Sequence, residues 1–239
     1  MKFTSLLIAL LIIVSVSAKA QLGFGGEVGL NGSKDMVKYK GETQTKEFRY
    51  GLRAGGLADI ALTDNFYFQP GIYYVANGFK SNFTGGHDEW SINSLEIPMN
   101  ITYKIGQLGS NRFFVGAGPY IGFNTGGYVL TNEPPQLVNS KRDINIGGKI
   151  VDDVRTFDAG LGINAGYQLT AGLFFRARTQ FGLINMYPLG NSDNSIRSFS
   201  FGITAGYIFY RRNKEGVLII KRERKKAELH KGQTYRSDN

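Results

Sequence analysis

The chain has 239 residues, of which 42% are hydrophobic and 13% aromatic, with 32 glycines, no cysteine and a net charge of +9. Glycine at nearly twice the usual ~7%, without a three-residue period, excludes collagen, and the aromatic content argues against disorder. The charge does not mark a nucleic-acid binder, because residues 211–239 hold ten Lys and Arg against four Asp and Glu while residues 21–210 are close to neutral.

Met1 and Lys2 precede an almost unbroken apolar run, Leu6 to Val16, which ends at Ala18-Lys19-Ala20. A run of about a dozen residues is too short to cross a ~30 Å bilayer as a helix, which takes about 20. It predicts a secretory signal over residues 1–20, cut before Gln21. Every later apolar stretch is interrupted by Gly, Asn or a charge, so no helical span is expected. What remains is predicted to be one domain over 21–210 and a basic tail over 211–239. Without disulfides, sheet closure and burial must stabilise it.

In chain order, Leu22–Leu30, Tyr50–Leu62, Phe66–Ala76, Leu95–Ile105, Phe113–Phe123, Phe157–Leu169, Leu173–Leu183 and Phe199–Phe209 alternate with period 2 and are predicted as eight strands. The last shows the pattern most plainly: Phe199, Phe201, Ile203, Ala205, Tyr207 and Phe209 interleave with Ser200, Gly202, Thr204 and Gly206. Thr63–Asn65, Gly106–Asn111 and Thr170–Gly172 read as short turns rich in Gly, Asn and Asp. Asn31–Lys46, Ser81–Trp90, Thr131–Arg155 and Tyr187–Ile196 read as long loops. In an up-and-down meander all short turns fall at one end and all long loops at the other, the asymmetry of outer-membrane barrels, which puts both chain ends in the periplasm.

One face of these strands is apolar and the other carries Gly, Ser, Asn and charges, with the charges set to meet inside and the apolar face set against lipid. The expected fold is therefore all-β: an eight-stranded antiparallel up-and-down transmembrane β-barrel with a polar, filled interior. Phe66, Tyr67, Tyr103, Phe113, Tyr167, Tyr207, Phe209 and Tyr210 are expected in an interfacial girdle at the short-turn end, and Tyr50, Phe79, Tyr128 and Phe199 at the other. Eight strands enclose room only for side chains. Arg53, Asp59, Glu96, Lys104, Asp158, Arg176 and Arg178 are accordingly read as a structural charge network in the lumen, in preference to an ion path or an anion site.

Gly51-Leu52-Arg53-Ala54-Gly55, Phe68-Gln69-Pro70-Gly71-Ile72-Tyr73-Tyr74, Leu95-Glu96-Ile97-Pro98 and Phe114-Val115-Gly116-Ala117-Gly118-Pro119-Tyr120 resemble the PorT-like outer-membrane β-barrel proteins of Bacteroidota. The similarity continues through Asp158-Ala159-Gly160 and Gly202-Ile203-Thr204-Ala205-Gly206-Tyr207. The resemblance implies the barrel fold and the outer-membrane address, and no shared reaction. The chain departs from the family's usual ending, since nearly thirty residues follow Phe209 and Tyr210.

His87, beside Asp88, Glu89 and Ser91, is the one candidate base for an outer-membrane lipid-modifying enzyme. No Gly-x-Ser-x-Gly or His-Glu-x-x-His accompanies it, and a solvated loop histidine is the better reading. Asp143, Asp152 and Asp153 match no calcium loop. The glycine runs Gly23–Gly29 and Gly116–Gly122 lie within strands with no following helix, so they are not phosphate loops. The sequons at Asn31 and Asn82 occur often by chance. Arg211, Arg212, Lys221, Arg222, Arg224, Lys225 and Lys226 form the most individual feature, a basic stretch that reads first as a solvated tail and otherwise as able to dock on anionic headgroups, the cell-wall polymer or a periplasmic or envelope protein. The expectation is a monomeric barrel in the outer-membrane lipid bilayer with a structural or interaction role, no catalytic residues, no cofactor and no nucleic-acid partner. The alternatives are the rim enzyme, a small-solute or ion pore, and a soluble lipocalin-like barrel.

Overall fold

The computed structural model describes residues 22–44, 46–107, 109–133, 138–188 and 190–210. The predicted signal over 1–20 and the basic tail over 211–239 lie outside the described residues. Ten strands follow in order: β1 Leu22–Tyr39, β2 Glu42–Gln44, β3 Glu47–Ala61, β4 Phe66–Phe83, β5 Gly86–Ile105, β6 Arg112–Glu133, β7 Val138–Asp143, β8 Phe157–Gln168, β9 Leu173–Gly182 and β10 Ser195–Tyr210. The short β2 and β7 fold back on β1 and β6. The other eight run antiparallel in sequence order, and β10 returns to pair with β1 from Gly23–Tyr210 to Lys38–Ser195. The sheet is a closed eight-stranded ring.

Alternation sorts the side chains. Leu161, Ile163 and Ile203 face outward with 53%, 56% and 65% of their surface exposed, whereas Asp59, Lys104 and Arg53 are buried inside at 0%, 0% and 2%. An apolar wall around a polar interior is the arrangement of a membrane barrel and the reverse of a lipocalin-type soluble one. The interior is not uniformly polar. Leu57, Tyr73, Val75, Phe114, Phe174 and Ile208 form a buried apolar cluster within it. Glycines make room for its rings: a Cβ at Gly55 would lie 2.6 Å from Tyr73 Cδ1, and one at Gly206 2.5 Å from Phe174 Cζ.

Three expectations need correction. The strands at the long-loop end run further than the alternation suggested, so the segment Ser81–Trp90 is no long loop: β4 and β5 continue to a two-residue turn at Thr84-Gly85, where Gly85 takes φ +94°. The pattern is hidden on β4 because Gly78 takes φ +139° where the β3–β4 register shifts, and on β6 because Thr125 is an extra residue opposite Asn93/Ser94, an irregularity that breaks the period of 2. Asn31–Lys46 likewise contains the end of β1 and all of β2, and Thr131–Arg155 contains the end of β6 and all of β7.

The girdles also change membership. Tyr67 is buried inside at 0%, Phe79 is buried at 6% against the stacked Trp90 ring, and Tyr210 packs against the interior apolar cluster. Phe66-Tyr67-Phe68 is aromatic at both parities, so periodicity could not say which ring turns inward. Outward pairs such as Phe66–Tyr103 and Phe113–Tyr167 sit at the short-turn end, with ring centroids 4.9 and 4.6 Å apart.

Replacing Ile163, midway along β8 on the lipid face, by Arg is expected to destabilise the inserted barrel by about 2–4 kcal/mol. Urea unfolding in lipid vesicles measures this, and an unchanged midpoint would contradict the assigned lipid face.

Candidate functional site

The lumen gathers the chemistry of this molecule into three layers. At the short-turn end, Lys104 Nζ donates to Asp59 Oδ2 at 2.6 Å, Gln168 Oε1 at 2.9 Å and Tyr210 Oη at 3.1 Å, and it lies 4.0 Å from the centroid of the Tyr67 ring. Asp59 also accepts hydrogen bonds from Gln69 Nε2 and from the Tyr210 hydroxyl. Arg112 donates to the Tyr67 hydroxyl at 3.2 Å and to the Asp64 carbonyl at 3.4 Å. A fully buried ammonium and carboxylate are tolerable only with this density of partners.

In the middle layer Arg53 pairs with Glu96, its guanidinium carbon 4.0 Å above the Tyr73 ring. Glu96 also accepts from Asn77 and Gln180, each at 3.3 Å. Arg176 meets Glu27 at 3.2 Å and donates to Gln69 at 3.1 Å, while Arg178 donates to Asn31 and Gln180. Arginine suits this layer because its planar fork holds several acceptors at fixed angles. A cavity of about 20 Å³ is left, lined by residues that include Glu27, Arg53, Asn164, Arg176 and Arg178. That is room for about one water.

Toward the long-loop end Asp158 accepts from the Tyr120 hydroxyl at 3.0 Å and from Ser198 at 2.9 Å. Unlike Glu27, Asp59 and Glu96, it has no cation within 4 Å among the described residues. Above it the mouth is filled by a second apolar cluster, Ile92, Val129, Ile144, Val154 and Met186, with Trp90, Ile146 and Ile196 against it. Ile144, Ile146, Val154 and Met186 come from connecting segments that fold in over the mouth.

The fold of that cover is pinned electrostatically. Arg142 grips Asp153 with two hydrogen bonds of 2.8 and 3.0 Å and lies over the Trp90 ring at 5.2 Å. Partial burial works against the Asp153 charge, but the Arg142 contacts and the Asn145 amide outweigh it and hold the carboxyl below its ordinary range.

The seven charges singled out in the sequence all lie in this lumen, yet several of their partners were not singled out. Glu27, Gln69, Asn77 and Tyr210 complete the network. Glu27 carried a legible signal, since it shares the parity of Gly23, Gly25 and Gly29 along β1. His87 sits beside the β4–β5 turn, where Asn132 Nδ2 lies 3.0 Å from its Nε2. Among the described residues no hydroxyl is bonded to its ring. Asp152 accepts from the Lys149 amide at 2.6 Å and Asp153 is engaged by Arg142. Among the described residues no group of three or more His, Cys, Asp or Glu is placed to hold a metal. The seven basic residues of the tail lie outside the described residues.

A family model described as outer membrane protein beta-barrel domain matches residues 17–188. The chain belongs to this family of outer-membrane barrels. The match ends before β10, the strand that completes the ring. Among curated proteins none matches the chain.

Solved structures similar to this outer-membrane barrel include OprG of Pseudomonas aeruginosa, with 11% identity, a TM-score of 0.45 and coverage of 82% of this chain and 99% of that one. Neisserial surface protein A follows at 13% identity and TM-score 0.44, covering 80% of this chain and 99% of that one. Ail, the attachment invasion locus protein of Yersinia pestis, solved in complex with the heparin analogue sucrose octasulfate, has 10% identity and TM-score 0.40, covering 79% and 99%. The protein is an outer-membrane β-barrel protein, resident in the bacterial outer membrane.

Replacing Lys104 by Met strands Asp59 in the lumen without a cation and is expected to destabilise the barrel by about 3–5 kcal/mol. Pairing it with Asp59→Leu should recover most of that loss. Urea titration of the three proteins in vesicles tests the pair, and a double variant no better than the single would mean that Asp59 does not depend on Lys104.

Proposed function

We propose that this barrel is a closed, non-catalytic and non-conducting element of the outer membrane that works through its two ends. The observation that carries the reading is the filling of the lumen: paired charges leave about 20 Å³ between them, and an apolar cluster covers the mouth. The charge network of Arg53, Asp59, Glu96, Lys104, Asp158, Arg176 and Arg178 is structural in this reading, filling the space that a pore would need. The polar surroundings of His87 support the absence of catalysis, since a rim hydrolase needs a nucleophile bonded to its base.

An even number of strands puts both ends of the barrel chain on the side of the short turns, the periplasmic side by the rule for such barrels. Residues 1–20 then serve as a cleaved signal. The tail, with Arg211, Arg212, Lys221, Arg222, Arg224, Lys225 and Lys226, hangs into the periplasm as a docking segment for an envelope protein. Closure leaves the eight-stranded ring itself with no free edge for a second copy, only the short β2 and β7 being paired on one side, which supports a monomer. The stretches resembling the PorT-like proteins support membership of that subgroup.

In planar bilayers the protein is expected to show no stable conductance steps, and steps of the size of an open pore would overturn the non-conducting reading. Crosslinking in intact envelopes compares the full chain with one truncated after Arg212, each scored for insertion. Loss of a partner with insertion preserved is the expected result. Identical partners, or none, for both versions would remove the docking role of the tail.

A further inference from the structure

The outer wall at the long-loop end carries cations that the barrel itself does not use. Along β1, Lys34, Met36 and Lys38 continue the lipid-facing parity of Leu30, while Asp35 between them turns inward and is 5% exposed. Along β10, Arg197 shares the outward parity of Phe199 and Phe201. The register sets Lys34 opposite Phe199 and Met36 opposite Arg197. Arg197 is therefore diagonal to both lysines, at separations of about 7–8 Å. Among the described residues none of the three cations has an ion-pair partner.

Their height on the wall is set by rings. Lys34 Nζ lies 4.8 Å from the Phe48 centroid and 6.0 Å from that of Phe199, Phe48 packs edge-on against Phe201 at 5.1 Å, and Phe199 meets Phe181 at 5.2 Å. An aromatic belt marks the interface between hydrocarbon and headgroups, so cations standing on its outer edge are at the depth of lipid phosphates. Leu30, four residues below Lys34 and about 13 Å along the strand, Val28 and Ile203 continue the wall downward as apolar, exposed side chains, and the hollow that begins at Leu30 runs from there to Phe113 and Tyr167 at the short-turn end, away from the cations.

We infer that the β1–β10 seam binds a phosphorylated glycolipid of the outer leaflet, of the lipopolysaccharide class, with phosphate on Lys34, Lys38 and Arg197 and acyl chains along the apolar wall beneath. The inference rests on the orientation proposed above, with the long loops outward. The phosphate supplies the acceptors that three unpaired cations lack, and charge-assisted hydrogen bonds at the edge of a low-dielectric region are stronger than in bulk water. A lipid holds phosphate at the depth of the cations and acyl chains against the apolar wall of Leu30, Val28 and Ile203 below them, which a soluble polyanion does not.

The test uses the full chain in phosphatidylcholine nanodiscs titrated with lipopolysaccharide, with bound glycolipid counted by native mass spectrometry. The triple variant Lys34→Gln/Lys38→Gln/Arg197→Gln is expected to lower binding about tenfold or more, since each cation near an anionic surface contributes severalfold. Dephosphorylated glycolipid should lose as much on the unaltered protein, and Lys141→Gln/Lys149→Gln should change little. Heat-modifiable gel migration verifies that the variants remain folded. Equal binding by the triple variant overturns the site, and equal binding of phosphatidylglycerol overturns the glycolipid as its ligand.

Orientation is read separately. The chain has no cysteine, and a Cβ at Gly148 would meet nothing within 4 Å, so Gly148→Cys gives a single reporter. Labelling by an impermeant maleimide on intact cells supports the outward loops. Labelling only after lysis removes that orientation, and with it the outer leaflet as the source of the ligand.

Discussion

Sixteen residue pairs between β1 and β10 join the last strand of the chain to the first. In hydrocarbon no water is available to an unpaired backbone N–H or C=O, so a sheet that left this seam open would expose two edges at several kcal/mol per group. Closure at eight strands then dictates the rest. The enclosed space is only as wide as the side chains that fill it, so each inward position is a decision about volume, and glycine under Tyr73 or Phe174 is as much a part of the packing as the ring itself.

Within that narrow space, charge replaces some of what a soluble core does with apolar contacts. Lys104 and Asp59, Arg53 and Glu96, and Arg176 and Glu27 each tie two strands that flank a third, β3 to β5 across β4 and β9 to β1 across β10. Such pairs add little net stability over a well-packed apolar core, because desolvation offsets most of the attraction. They do penalise any register that separates them, since a slip of one residue would turn each charge into lipid. The apolar cluster beside them and the second cluster at the mouth supply burial that the charges cannot.

The fold was legible because both solvents act with the same period. Lipid outside and a polar interior impose alternation on every spanning segment, and the cores of all eight long strands lay within alternating stretches such as Leu173–Leu183. Where the strands leave the bilayer the lipid no longer enforces the pattern. That is why the ends of β4, β5 and β6, with the irregular backbone at Gly78 and the extra residue Thr125 opposite Asn93/Ser94, read as loops. The side of the strand that a charge takes follows from parity, but its partner does not. Glu96 meets Gln180 across 84 positions and Lys104 meets Tyr210 across 106, distances at which no local pattern carries information.

The sequence by itself determined the all-β class and the parity of each strand, one face apolar and the other small, polar or charged, whatever its register; which face turns inward is what separates a membrane barrel from a soluble one. Tertiary structure alone decided which of three adjacent aromatics turns inward, how Ile144, Val154 and Met186 come together to cover the mouth, and that Lys34, Lys38 and Arg197 share one patch of outer wall. Periodicity is a property of each strand taken alone. Pairings, covers and surface patches depend on how strands far apart in the chain are set against one another, and that is fixed only when the ring closes.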